Sequence, residues 1–125
     1  MLVVDDSYTS RYLLHTVLEY HGYHSVEART AALALGMLAD VQPAVMVCDV
    51  VMPDMDGYQL ARQMKADEAM AAVPVIFYTS AYPSLGARPT VDQLELGPVV
   101  AKTGDVDALV DAVEDVLHPA PTTGH

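Results

Sequence analysis

Four short, almost unbroken apolar runs limit the fold of this chain more than any other feature: Leu2-Val3-Val4, Val45-Met46-Val47-Cys48, residues 73–78 and Val99-Val100-Ala101. None alternates apolar with polar residues. Each therefore predicts a strand covered on both faces, as in a parallel sheet sandwiched between helices. Residues 23–28 (Tyr-His-Ser-Val-Glu-Ala) are more mixed and predict a fifth strand at an edge.

Helical patterns fill the gaps. Ser7 or Thr9 is placed to cap a helix carrying Leu13, Leu14, Val17 and Leu18, with Gly22 as its stop. Residues 31–38 are rich in helix formers, and residues 59–66 form a third helix after Asp56-Gly57. Residues 105–117 give the clearest stripe: Val106, Leu109, Val110, Val113, Val116 and Leu117 face one way, and Asp107, Asp111, Glu114 and Asp115 the other. Alternation of strand and helix along the whole chain predicts a single, doubly wound, flavodoxin-like α/β sheet flanked by helices. Residues 84–97, interrupted by Gly86, Pro89 and Gly97, leave room only for a short helix at 90–96. Residues 118–125, with Pro119, Pro121 and Gly124, read as a linker-like or disordered tail.

Composition narrows the partners. The chain has 125 residues, 52% of them hydrophobic, which suits one domain with a real core. Its net charge of −11 repels phosphate backbones and anionic membrane surfaces, so neither nucleic acid nor membrane is an expected ligand. The same charge favours a divalent cation wherever carboxylates converge. Cys48 is the sole cysteine and forms no internal disulfide, in keeping with a reducing compartment or with a fold that needs no staples. No apolar run approaches the roughly 18 residues of a membrane span, and the first stretch lacks a basic lead-in. A soluble, cytoplasmic domain is expected.

Ligands of open α/β sheets bind beyond the carboxyl ends of the strands. Asp5 and Asp6 follow the first strand there, Asp49 the third, Thr79 and Ser80 the fourth, and Lys102 the fifth. Three clustered carboxylates repel, and burial aggravates this, so they call for a hard cation such as Mg²⁺. A carboxylate beside that cation is a nucleophile towards a phosphoryl group. The metal, Lys102 and the Thr79 hydroxyl then neutralise the phosphoryl oxygens.

These acids, together with Met52-Pro53-Asp54-Met55-Asp56-Gly57 and the separations from Asp49 to Thr79 and from Thr79 to Lys102, resemble the receiver domain of two-component response regulators. The resemblance covers residues 1–117 and implies a five-stranded sheet of order 2-1-3-4-5. It implies that Asp49 is the phosphoacceptor, that Asp6 binds Mg²⁺ directly and Asp5 mostly through water, and that Val51 offers its backbone carbonyl. It further implies that Thr79 binds the phosphoryl group and moves towards it, while Lys102 pairs with its oxygens. The implied donor is a phosphohistidine on a sensor histidine kinase or histidine phosphotransfer protein. Such a domain catalyses only its own phosphotransfer and slow dephosphorylation, and hands its signal to an output partner or effector domain that this sequence does not name.

Three departures stand out. Lys102 is followed by Thr103-Gly104 where the family usually has proline, Val99 replaces the customary aromatic switch residue, and residues 84–97 make an atypical or shortened fourth helix. They sustain an alternative, a phosphorylation-independent pseudo-receiver that docks proteins. Val51 and Ala81 cannot orient an attacking water, which predicts a persistent acyl phosphate. A phosphatase of the haloacid dehalogenase type would need an acid two residues after its nucleophile, where Val51 or Ser7 stands instead. A mononucleotide site is disfavoured because Asp5-Asp6 would repel the phosphate. Taken singly, Asp5, Asp6 and Ser7 also suit a helix cap, and Asp54 and Asp56 suit turn positions. His21 and His24 bracket a turn and read as surface residues. His15 on the first helix lacks the all-helical setting of a phosphotransfer histidine, and Cys48 reads as a buried thiol facing away from Asp49.

Overall fold

The computed structural model describes residues 1–40, 42–79, 96–102 and 106–118. The expectations for residues 90–95 of the shortened helix, for Ser80, Ala81, Thr103 and Gly104, and for the tail beyond His118 lie outside these residues. Among the described residues, five strands and four helices follow in order: β1 (Leu2–Val4), α1 (Tyr8–Tyr20), β2 (Val26–Ala28), α2 (Ala31–Asp40), β3 (Met46–Cys48), α3 (Gly57–Lys65), β4 (Val75–Thr79), β5 (Val99–Ala101) and α4 (Asp107–Leu117). All strand pairs are parallel, in the order β2-β1-β3-β4-β5. The expected doubly wound sheet is present.

Strand alternation sorts the core into two layers. Leu2, Val4, Met46, Cys48, Val75 and Phe77 pack against Ala31, Ala34 and Leu38 of α2 and Leu60, Ala61 and Met64 of α3. Their neighbours Val3, Val47, Ile76 and Tyr78 meet Leu14 and Leu18 of α1 and Leu109 and Val113 of α4. Burying an isoleucine or phenylalanine as fully as Ile76 and Phe77 stabilises the fold by about 1.5–3 kcal/mol each. Strand β2 leaves Val26 and Glu27 exposed, and β5 is half-buried throughout, as suits the two edges.

Element ends shift for local reasons. Ser7 rather than Thr9 caps α1, its Oγ accepting from the Ser10 N–H. Gly22, at φ 87°, turns the chain out of α1, and the Tyr23 N–H returns to the Leu18 carbonyl. That turn uses up residues expected in the second strand, which starts at Val26. Pro74 has no N–H to give, so β4 begins at Val75 and extends to Thr79, while the Pro74 carbonyl accepts from Met46. Helix α3 begins at Gly57, two residues early, because Asp56 and Gln59 form a reciprocal capping box.

Candidate functional site

Parallel register brings the acids together. Val4 of β1 lies opposite Cys48 of β3, so Asp5 and Asp49 leave adjacent strands side by side. The Asp49 N–H donates to the Val4 carbonyl and the Asp5 N–H to that of Ala28, fixing both turns. On the other side, Thr79 pairs with Ala101, and the Lys102 N–H donates to the Thr79 carbonyl at 2.9 Å. Five residues spread over the chain therefore share one end of the sheet.

Carboxylate oxygens of Asp5, Asp6 and Asp49 all lie within 4.8 Å of one another. Asp5 and Asp49 are buried, and Asp6 is exposed. The Lys102 ammonium sits 2.7 Å from Asp5 Oδ2 and 3.5 Å from Asp49 Oδ2, and 5.8 Å from the Tyr78 ring centre. Asp5 Oδ1 accepts from the Ser7 N–H at 2.9 Å, and the Arg11 guanidinium donates to the Asp5 carbonyl at 2.8 Å. Asp49 Oδ1 is buried and has no hydrogen-bond partner among the described residues.

That charge set is unbalanced. Two unit charges 4 Å apart interact by about 4 kcal/mol at an effective dielectric near 20, so one ammonium cannot offset three carboxylates. Burial pushes the Asp49 carboxyl above its ordinary value. Lys102 opposes this, Asp5 reinforces it, and the N–H groups of Val51 and Val50 pull it back in part. An orphaned carboxylate oxygen facing two further acids is the donor set of a hard divalent cation, and the residues fit Mg²⁺. Thr79 is buried at the end of β4, while the Val51 side chain is exposed. Cys48 is buried and donates its thiol to the Asp49 carbonyl at 3.2 Å. Burial first, then the charges of Asp49, Asp5 and Asp56, push that thiol far above its usual range, so it is inert.

Two contributors escaped the sequence reading. Asp54 does sit in the turn, yet its carboxylate also reaches across to α2. Oδ1 accepts from the Ala31 N–H at 3.3 Å and Oδ2 from Ala32 at 3.1 Å, while Thr30 Oγ1 takes the Leu33 N–H. Gly57 is the other: a Cβ there would stand 2.4 Å from the Asp49 carbonyl oxygen. Only a glycine lets α3 start this close to the residue that follows β3. The Asp-Gly pair signals a turn, but nothing in the sequence signals that contact.

An acid triad, with Asp5 and Asp49 buried and Asp6 exposed, and a lysine at the carboxyl ends of a 2-1-3-4-5 sheet define an α/β domain whose site suits a cation. Comparison with known proteins gives the family. A sequence model of the response regulator receiver domain matches residues 1–114. The chain is 31% identical to sporulation initiation phosphotransferase F of Bacillus subtilis, over 94% of this chain and 92% of that one. It is 36% identical to protein PilH of Pseudomonas aeruginosa, over 64% of this chain and 66% of that one. The fold is similar to response regulator protein TrrA of Thermotoga maritima, solved in complex with Mg²⁺-BeF: TM-score 0.82, 26% identity, covering 93% and 96% of the two chains. The chain spans less than two thirds of the length of several curated relatives it matches, down to 25% of one. It belongs to the response regulator receiver family, the phosphoacceptor modules of two-component signalling. Nothing in these comparisons favours the pseudo-receiver alternative.

Proposed function

We propose that the chain is a phosphorylation-controlled switch in which Asp49 takes a phosphoryl group from a phosphohistidine on a sensor histidine kinase or histidine phosphotransfer protein. An Asp49 carboxylate oxygen attacks phosphorus as the P–N bond to the donor breaks, and the electron pair leaves with the imidazole. Asp6, Asp49 and the Val51 carbonyl would hold Mg²⁺, with Asp5 helping mostly through water. Bound there, the ion neutralises phosphoryl oxygens. Lys102 stands between Asp5 and Asp49 and pairs with an incoming oxygen, and the Thr79 hydroxyl takes another. The added charge of about −1.5 to −2 then shifts the loops around Thr79 and Lys102, changing which output partner or effector domain docks.

The observation that carries this reading is the orphaned Asp49 oxygen among three acids and one lysine. The chain's own chemistry ends at its phosphotransfer and a slow hydrolysis. Val51, exposed beside the site, offers no group to activate water, so the acyl phosphate is long-lived. A cytoplasmic setting fits, and no described helix is long and apolar enough to cross a membrane. The test is incubation with a small acyl phosphate and Mg²⁺, read by intact mass. One phosphoryl adduct is expected, absent from Asp49→Asn and without Mg²⁺. An adduct that persists in Asp49→Asn would refute the assignment.

A further inference from the structure

At the amino ends of the strands, away from the aspartate pocket, three side chains converge that phosphotransfer does not use. Glu19 on α1 directs Oε2 towards two imidazoles: Nδ1 of His15, one turn earlier, at 3.9 Å, and Nδ1 of His24, in the lead-in to β2, at 3.6 Å. The same oxygen accepts from the Ser25 N–H at 3.3 Å, and the Ser25 hydroxyl contacts His15 Nδ1 at 2.5 Å. His15 and Glu19 are partly exposed, and the His24 side chain is 94% exposed. By sequence His24 paired with His21 across a turn; in the fold His21 instead meets the Tyr20 ring edge-on, and the partner of His24 is Glu19.

We propose that His15, Glu19 and His24 form a second cation site, one that takes a borderline transition metal such as Zn²⁺ in preference to Mg²⁺. Two imidazoles and a carboxylate are a donor set for zinc with its fourth position left to water, whereas Mg²⁺ favours oxygen alone. Tetrahedral ligands at about 2.0–2.1 Å lie roughly 3.4 Å apart, so Glu19 Oε2 is within about half an ångström of the required separation from each Nδ1, whereas the two imidazole nitrogens lie more than 4.8 Å apart and have to approach one another. Among the described residues, only the aspartate cluster has donors all mutually within 4.8 Å, so His24 must turn inwards. Its ring is almost wholly in solvent and nothing packed resists that turn. The Ser25 hydroxyl gives up its contact with His15 Nδ1 when that nitrogen takes the metal. The bound ion would tie the last turns of α1 to the start of β2.

The full chain, held in excess Mg²⁺ to keep the aspartate pocket filled, is titrated with Zn²⁺ by calorimetry and with Co²⁺ by visible absorption. The expected result is one Zn²⁺ per chain at micromolar or tighter affinity, and a Co²⁺ spectrum of nitrogen ligation. His24→Gln, a surface change that leaves the fold intact, and Glu19→Gln should each weaken binding by at least about tenfold. His21→Gln and Asp49→Asn should leave it unchanged. Binding weaker than about millimolar, an equal loss in His21→Gln, or a loss confined to Asp49→Asn would each overturn the proposal.

Discussion

The shortest ion pair of the pocket joins Lys102 to Asp5, Nζ to Oδ2 at 2.7 Å across 97 positions of sequence, and not Lys102 to Asp49, which stands at 3.5 Å. The lysine therefore holds the non-phosphorylated state together through Asp5 while its tip stays within reach of Asp49.

Lys102→Met should expose that dual role. Without the ammonium, Asp5 and Asp49 are two buried acids lacking a counter-charge. Removing one partner of a fully buried pair costs about 3–5 kcal/mol, and partial exposure of Lys102 brings the expected loss nearer 1–3 kcal/mol. Because Mg²⁺ replaces the missing positive charge, most of the loss should disappear on its addition. Urea unfolding with and without Mg²⁺ checks this, and an equal loss in both conditions would contradict it. Acyl phosphate labelling of the variant should slow markedly.

Asp49→Asn should act in the opposite sense on stability. Burial and the neighbouring Asp5 disfavour the charged form of Asp49, and Lys102 only partly compensates. A neutral isostere relieves that repulsion at nearly constant volume. The metal-free variant is expected to unfold about 1 kcal/mol later than the parent at neutral pH. It should also gain far less from Mg²⁺, having lost one ligand charge. Paired thermal melts in a chelator and in Mg²⁺ give both numbers. A metal-free variant less stable than the parent would show that the Asp49 charge is satisfied in a way the orphaned Oδ1 denies.

How much of this was legible beforehand follows from the range of the interactions involved. The strands were readable because a doubly covered parallel strand needs unbroken apolar residues, and Asp5, Asp49 and Lys102 were readable because each directly follows one. Placing acids at strand ends needs only the sheet, and parallel register does the rest. What could not be read depends on how loops pack against elements remote in sequence. The start of β2 is decided by the turn at Gly22, and the tight seat of Gly57 by the Asp49 carbonyl beneath it. The convergence of His15 and His24 on Glu19 requires α1 to run back along the sheet and β2 to start beside its last turns. No local propensity encodes such contacts.

Gly57→Ala tests the seat of the phosphoacceptor. A methyl group at that position meets backbone, 2.4 Å from the Asp49 carbonyl oxygen, with the Cys48 sulfur at 3.2 Å. The backbone carbonyl cannot swing away as a side-chain tip would, so α3 or the Asp49 turn has to move. Overpacking of this kind costs about 1–3 kcal/mol. Since the strain falls on the residue carrying the reactive carboxylate, the phosphorylation rate should drop as well. Parallel measurement of urea midpoint and labelling rate separates the outcomes, and a variant with both unchanged would show that α3 shifts freely.

Asp54→Ala tests the clamp between the loop after β3 and the start of α2. Its carboxylate takes the Ala31 and Ala32 N–H groups, while the Thr30 hydroxyl takes the Leu33 N–H and the Thr30 carbonyl that of Ala34. Slight burial alone would raise the Asp54 carboxyl, but the N–H groups of Ala32 and Ala31, with its own and that of Met55, hold it below the ordinary value. A depressed carboxylate stabilises the fold above the unfolded-state value near 3.9 and loses that contribution as pH falls through the lower folded one. The variant should therefore be less stable than the parent at neutral pH, by about 0.5 kcal/mol once solvent screening of this exposed carboxylate is allowed for, with the gap closing in acid. Hydrogen exchange should quicken at the Ala31 and Ala32 amides and stay unchanged in β3. A gap that persists at pH 2, or unaltered exchange at those two amides, would mean that α2 is capped by Thr30 alone and that the phosphoacceptor loop is not tied to it.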